Sequence, residues 1–164
     1  MFSINTNIVI AAPPSTVRKV FLDFAAYPQW NPFITSVQVS DPAAPPGIPF
    51  QIVAWKWYVD KSTIVENDPG TFSWVGIIGG KWFFRGQHYF KFEPFGDEFE
   101  ENGETKKCKF VQSETLSGAL SVLGIFYGWV LKIGFKEMNK ALKVRAEAVA
   151  TGGEARLTAE GVKD

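Results

Sequence analysis

His88 is the single histidine of the chain and the one side chain whose ordinary pKa lies near neutrality. From Gly86 to Phe95, residues Gln87, Tyr89, Lys91 and Glu93 alternate with His88, Phe90 and Phe92, so a strand here turns His88 inward on the same face as the two phenylalanines. An inward histidine can act as a general acid or base, or orient a ligand carbonyl. It can equally be a core residue held by a neighbouring partner. Glu114 shares a face with Cys108, Phe110 and Gln112 on the next stretch, Thr105 to Thr115. A buried carboxylate needs a partner, which His88 or Tyr58 would supply, and such a set is a proton relay suited to aldol cyclisation or dehydration. The Asn102-Gly103 bend and the strand alternation suggest different pairings, so the register stays open. The reading adopted for Glu114 is a solvated strand end.

A second group of residues suits an apolar ligand. Trp30 and Asn31, with Trp74, His88, Phe90, Phe110, Phe126, Met138 and Leu142, supply aromatic rings and a thioether that adapt to flat or greasy molecules. The alternative is an ordinary core, with Trp30 plugging a corner between Pro28 and Pro32. Trp55 and Trp57 fall opposite Phe50, Ile52, Ala54 and Tyr58, and are either covered by short helices or exposed.

These residues need elements to position them. Tyr127, Val130, Leu131, Gly134, Met138, Ala141, Leu142, Ala146 and Val149 recur at three- and four-residue steps, with lysines opposite. This predicts a long amphipathic helix over 126–149. Ahead of it, Phe2 to Ala11 alternates as a first strand. A helix capped by Ser15 or a neighbour is expected to reach Phe24, followed by a tight turn at Tyr27 to Phe33 fixed by its two prolines. Strands are expected at Ile34–Ser40, Phe50–Val59 and Lys61–Glu66, joined near Asp60, and at Thr71–Ile78, Gly86–Phe95 and Thr105–Thr115. The acidic stretch Gly96 to Glu104 reads as a turn. One domain over residues 1–150 is predicted, with a fraying tail at 151–164.

Composition narrows the function. Aromatic residues make up 15% of the chain, more than a small core requires, which leaves rings to line a pocket. The 17 basic and 17 acidic residues cancel and form no basic stripe, which argues against nucleic acid. A lone Cys108 and one histidine argue against a disulfide framework or a zinc site. No glycine loop for phosphates, nucleophile elbow or histidine-carboxylate triad is present, so no cofactor is expected. Without a signal-peptide pattern at its start, the chain reads as cytoplasmic. The uncharged run Thr115–Leu131 is short of a membrane span; it is read as a loop plus the first helical turns, with a lid touching a bilayer as the alternative. Oligomeric state is not legible.

In order, Ile10-Ala11-Ala12-Pro13, then Asp23 and Tyr27-Pro28-Gln29-Trp30-Asn31-Pro32-Phe33, then Gly86-Gln87-His88-Tyr89-Phe90, Glu114 with Ser117-Gly118, and Phe135-Lys136 with Met138-Asn139 resemble the START-like, or Bet v 1-like, helix-grip superfamily. Within it the chain is most similar to the polyketide cyclase/dehydrase and lipid-transport group. The resemblance implies an α+β fold: a seven-stranded curved antiparallel sheet wrapped around a long C-terminal helix, with two short helices after the first strand. It also implies an apolar cavity between sheet and helix. It does not imply one activity, because such folds host carriers, receptors and enzymes alike. The expected partner is a small hydrophobic molecule such as a lipid, isoprenoid, sterol or polyketide-like compound. The alternative is a cyclase or dehydratase using His88, helped by Glu114 or Tyr58. The chain lacks the glycine-rich loop of the plant allergen branch, and the segments 79–85 and 96–104 look extended.

Overall fold

A computed structural model describes residues 1–79, 82–119 and 124–152. Phe126 and the tail beyond Gly152 therefore lie outside the described side chains and residues. The order is β1 (Phe2–Ile10), α1 (Pro14–Leu22), a 3-10 turn (Phe24–Ala26), α2 (Tyr27–Trp30), β2 (Ile34–Gln38), β3 (Pro49–Ala54), β4 (Tyr58–Asn67), β5 (Thr71–Ile78), β6 (Phe84–Phe99), β7 (Thr105–Ser117) and α3 (Gly124–Ala150). All seven strands form one antiparallel sheet in the order β1-β7-β6-β5-β4-β3-β2. This is the helix-grip architecture, with α3 across the concave face.

Helix α1 starts without a side-chain cap: Pro14 occupies its first turn, where a missing N–H costs nothing. Ser15 instead donates from Oγ to Glu104 Oε2 at 2.6 Å, correcting its expected capping role. The corner after α1 is built as its prolines suggest. Asn31 Oδ1 accepts from the backbone N–H of Phe33 at 3.0 Å and of Ile34 at 2.9 Å, turning the chain from α2 into β2. Tyr27 donates its hydroxyl proton to the Phe21 carbonyl at 2.8 Å. Asn31→Ala would leave two buried donors unpaired; the expected cost is about 1–3 kcal/mol, read as a lower midpoint in thermal unfolding.

Two strand boundaries differ from expectation. The β3–β4 turn lies at Trp55–Trp57 rather than near Asp60, with Ala54 paired to Tyr58 and both Trp55 (φ 48°) and Lys56 (φ 66°) left-handed. This conformation is uncommon for residues with a Cβ, so nothing in their types announces it. Strand β6 also runs on to Phe99, through a bulge between Phe95 and Phe99. The turn of the acidic hairpin is confined to Glu100–Glu104, where Glu100 N–H donates to the Glu104 carbonyl.

Polar contacts pin the second half of α3 to β1. Asn139 Nδ2 donates to Thr6 Oγ1 at 3.1 Å, Lys143 Nζ to the Val9 carbonyl at 2.7 Å, and the Ala11 N–H to Glu147 Oε1 at 2.7 Å. Earlier in α3, a Cβ on Gly134 would sit 2.5 Å from the Phe33 ring, so glycine lets the helix close onto that corner. Beneath the pinned half the grip is solid: Phe21, Phe72, Phe90, Phe110, Met138 and Leu142 are all fully buried. Phe21 alone meets Phe24, Tyr27, Phe72, Phe90, Phe92 and Phe110 at centroid distances of 4.6–6.4 Å. The first half of α3 is left to roof what the core does not fill.

Candidate functional site

That space is a cavity of about 670 Å³. Its walls are Phe33, Trp55, Trp57, Tyr58, Trp74, Phe84 and His88, its roof Val130 and Leu131 of α3, and its charged groups Asp60 and Glu114. A larger groove of about 940 Å³ runs between α1, the β4–β5 turn and the β6–β7 hairpin. Its one guanidinium, Arg18, is tied to Asn67 Oδ1 at 2.6 Å and the Asp68 carbonyl at 3.0 Å. The smaller cavity, rather than this groove, brings together Tyr58, Trp74, His88 and Glu114.

Alternation along β4 brings Tyr58 and Asp60 to the cavity, along β5 Trp74 and Gly76, along β6 Gly86 and His88, and along β7 Glu114 and Leu116. Register aligns them: Trp74 pairs with His88, His88 with Glu114, and Gly76 with Gly86. Glycine at the last pair is a spatial requirement. A Cβ on Gly76 would lie 2.6 Å from Asp60 Oδ2, and one on Gly86 would lie 3.0 Å from Glu114 Oε1. Two carboxylates from strands on either side thus lean over a bare backbone floor.

His88 and Glu114 are register partners, yet they do not form the expected relay. The His88 ring stacks on Phe90 at 4.4 Å and packs against Phe135 at 4.7 Å and Trp74 at 4.9 Å. Gln112 Nε2 reaches both His88 Nε2, at 3.0 Å, and Met138 Sδ, at 3.8 Å. With both amide protons donated, His88 Nε2 accepts and the imidazole proton sits on Nδ1. Burial among rings lowers the His88 pKa from 6.5 to about 3. A neutral imidazole of this kind positions; it does not deliver protons near pH 7.

Glu114 is half-buried in mid-strand, which corrects its reading as a solvated strand end. Burial, reinforced by the Asp60 charge, raises its pKa from 4.5 to about 7. Tyr58 is likewise shifted up, first by burial and then by Asp60 and Glu114. The proton-carrying group is therefore the carboxyl, with Asp60 and Tyr58 beside it. Asp60, whose Oδ2 accepts from Ser62 Oγ at 2.7 Å, escapes a reading of the sequence because the turn is expected at its position. Once the turn is put at Trp55–Trp57, the alternation Tyr58, Asp60, Ser62, Ile64 turns it inward.

The two shifts act oppositely on stability. His88, with its pKa lowered, contributes stability present above about 6.5 and lost as pH falls toward 3. Glu114, with its pKa raised, contributes stability present below 4.5 and lost as pH rises through 7. Glu114→Gln is expected to raise the thermal midpoint at pH 8 and leave it nearly unchanged at pH 4.5, as calorimetry at the two pH values would show.

Of the expected lining residues, Trp74 and His88 border the cavity, as do Tyr58 and Glu114 from the proposed relay. Phe90, Phe110, Met138 and Leu142 do not: each is fully buried in the solid half of the grip. Their apolar, inward-facing character fits core and cavity equally, and only the position along the groove separates them. Trp30 packs on Tyr27 at 4.9 Å and Asn31 caps the corner, so both are structural. Trp55 is half-buried and stacks loosely on Trp57, which is 74% exposed at the mouth.

Among known proteins, the family described as polyketide cyclase/dehydrase and lipid transport matches residues 1–154. No curated protein matches the chain. A START superfamily protein of Mycobacterium smegmatis superposes with a TM-score of 0.68 at 18% identity, over 90% of this chain and 98% of its own. A protein of Thermus thermophilus gives 0.65 at 16% identity, covering 91% and 99%. A point mutant of the norcoclaurine synthase of Thalictrum flavum, solved with a transition-state analogue, gives 0.63 at 11%, covering 88% and 93%. At these identities the structural likeness speaks for the fold alone.

Proposed function

Because the chain belongs to the polyketide cyclase/dehydrase and lipid-transport family, we propose that it binds a small hydrophobic ligand in the cavity between the sheet and the first half of α3. The observation that carries this reading is the aromatic enclosure of about 670 Å³, within the size range of pockets that take up drug-sized molecules. Aromatic side chains supply broad apolar contact, and the neutral His88 offers an orienting hydrogen bond. Native mass spectrometry of gently purified protein, followed by organic extraction, tests it. One apolar molecule per chain is expected. A mass without ligand, together with no saturable uptake of any apolar compound, would refute the reading.

A second reading draws on Glu114. A carboxyl with its pKa near 7 matches the working pH of a general acid or base, so the same cavity can fold a flexible substrate for cyclisation or dehydration. Glu114, rather than His88, carries the proton in that case, with Asp60 holding up its pKa and Tyr58 next to it. For such an enzyme Glu114→Gln is expected to lower kcat at least 100-fold with KM little changed. Equal losses in binding and turnover would return the protein to the carrier reading.

A further inference from the structure

Among the described residues, the charged end of the cavity has no cation of its own. Its lining includes Asp60 and Glu114 but no lysine or arginine, and neither acid takes part in an ion pair among the described residues. By contrast Glu147 on α3, also half-buried, holds Lys143 at 2.7 Å. The polar groups facing Glu114 are Asp60 and Tyr58 of β4 and His88 of β6; β1 offers Ile4 as its register partner and α3 offers Val130 and Leu131. None of them supplies a positive charge, since His88 is neutral and its Nε2 is taken by Gln112.

The glycine floor gives this end a shape. Gly76 and Gly86 face each other across one strand spacing, about 4.8 Å, and each has a carboxylate oxygen where a Cβ would be. The acids are thereby held close over a hollow rather than spread by side chains between them. Beside them stand Trp74, against the His88 ring, and the Trp55 and Trp57 rings of the β3–β4 turn. The faces of such rings attract cations. Acid oxygens over the floor and indole rings in the walls of the same cavity complement a positive charge carried on an apolar body.

We propose that the ligand of this cavity is an amphiphilic amine, whose ammonium group sits over the Gly76–Gly86 floor between Asp60 and Glu114 while its hydrocarbon part lies against the aromatic wall under α3. The inference rests on the hydrophobic-ligand reading above and narrows it to a chemical class. It also gives binding a direction with pH. Deprotonation of Glu114 completes the negative site, so affinity for a permanently protonated amine rises from pH 5.5 to 8.5.

The test uses octylamine, protonated throughout that range, against the neutral 1-octanol of equal chain length and the anionic octanoate. Each is titrated into the full-length protein and followed by tryptophan fluorescence and calorimetry. At pH 8, octylamine is expected to bind at least ten-fold tighter than octanol, and octanoate more weakly than both. The preference for octylamine should shrink at pH 5.5. Glu114→Gln and, separately, Asp60→Asn, each checked for folding by circular dichroism, should bring octylamine down toward octanol. Octanol binding as tightly as octylamine at pH 8 would overturn the amine assignment and leave the cavity reading standing. A preference that survives in both variants would likewise overturn it, and saturable binding of none of the three would overturn both.

Discussion

Replacing Phe21 with alanine is expected to cost about 3–5 kcal/mol of stability, the range for removing a fully buried phenylalanine. Phe21 projects from α1 into the centre of the solid half of the grip, where six rings from the turns after α1 and from the sheet surround it. Several of those contacts are edge-to-face, which add about 0.5–1.5 kcal/mol per pair beyond area burial. None of the six partners can move inward without leaving its own strand or helix, so the void stays largely open. In a domain of this size such a loss lowers the midpoint by about 10 °C. A change under about 1 kcal/mol in urea unfolding would mean that this half of the grip is loosely packed.

The second large effect is on binding. Leu131 lies on the roof of the cavity and is half-buried there, one helical turn before the Gly134–Phe33 contact that holds α3 in place. Leu131→Trp puts an indole into the opening across from the β3–β4 turn. Its outward edge has room, so the thermal midpoint should move by no more than about 3 °C. Affinity for an apolar ligand should fall at least ten-fold, about 1.4 kcal/mol or more. Met138→Trp, at a residue that the sequence reading places in the pocket lining, should act differently. Met138 is fully buried beneath Gln112, and overpacking there costs about 1–3 kcal/mol of stability.

This contrast marks where the sequence is legible. Periodicity identifies α3, because its apolar stripe is long and its lysines fall opposite. Alternation puts His88 inward on the face of Phe90 and Phe92, and the paired prolines mark the corner at Asn31. What periodicity does not carry is distance along the groove, so core residues and cavity residues look alike. Met138 and Leu131 both belong to the apolar stripe of α3, yet one is locked in the core and the other roofs the cavity. The turn at Trp55–Trp57 is hidden for another reason: its left-handed residues are a tryptophan and a lysine, neither of which signals that backbone. Misplacing that turn conceals Asp60. The bulge between Phe95 and Phe99 conceals the pairing of His88 with Glu114.

Gly76 and Gly86 are the least legible of the site residues. A glycine within a strand pattern signals a bulge or a close approach, but not what approaches. Here it is a carboxylate in each case, and the raised Glu114 pKa follows from burial and, after it, from the Asp60 charge. The group able to exchange a proton near pH 7 is accordingly the acid, not the histidine to which residue type alone points.

Uptake of apolar molecules by the cavity is tested most directly by titration with the neutral fluorophore N-phenyl-1-naphthylamine. Saturable enhancement at one probe per chain, with energy transfer from tryptophan and at least ten-fold weaker binding to a folded Leu131→Trp variant, is the predicted result. No saturable enhancement, or equal enhancement in the variant, would contradict it.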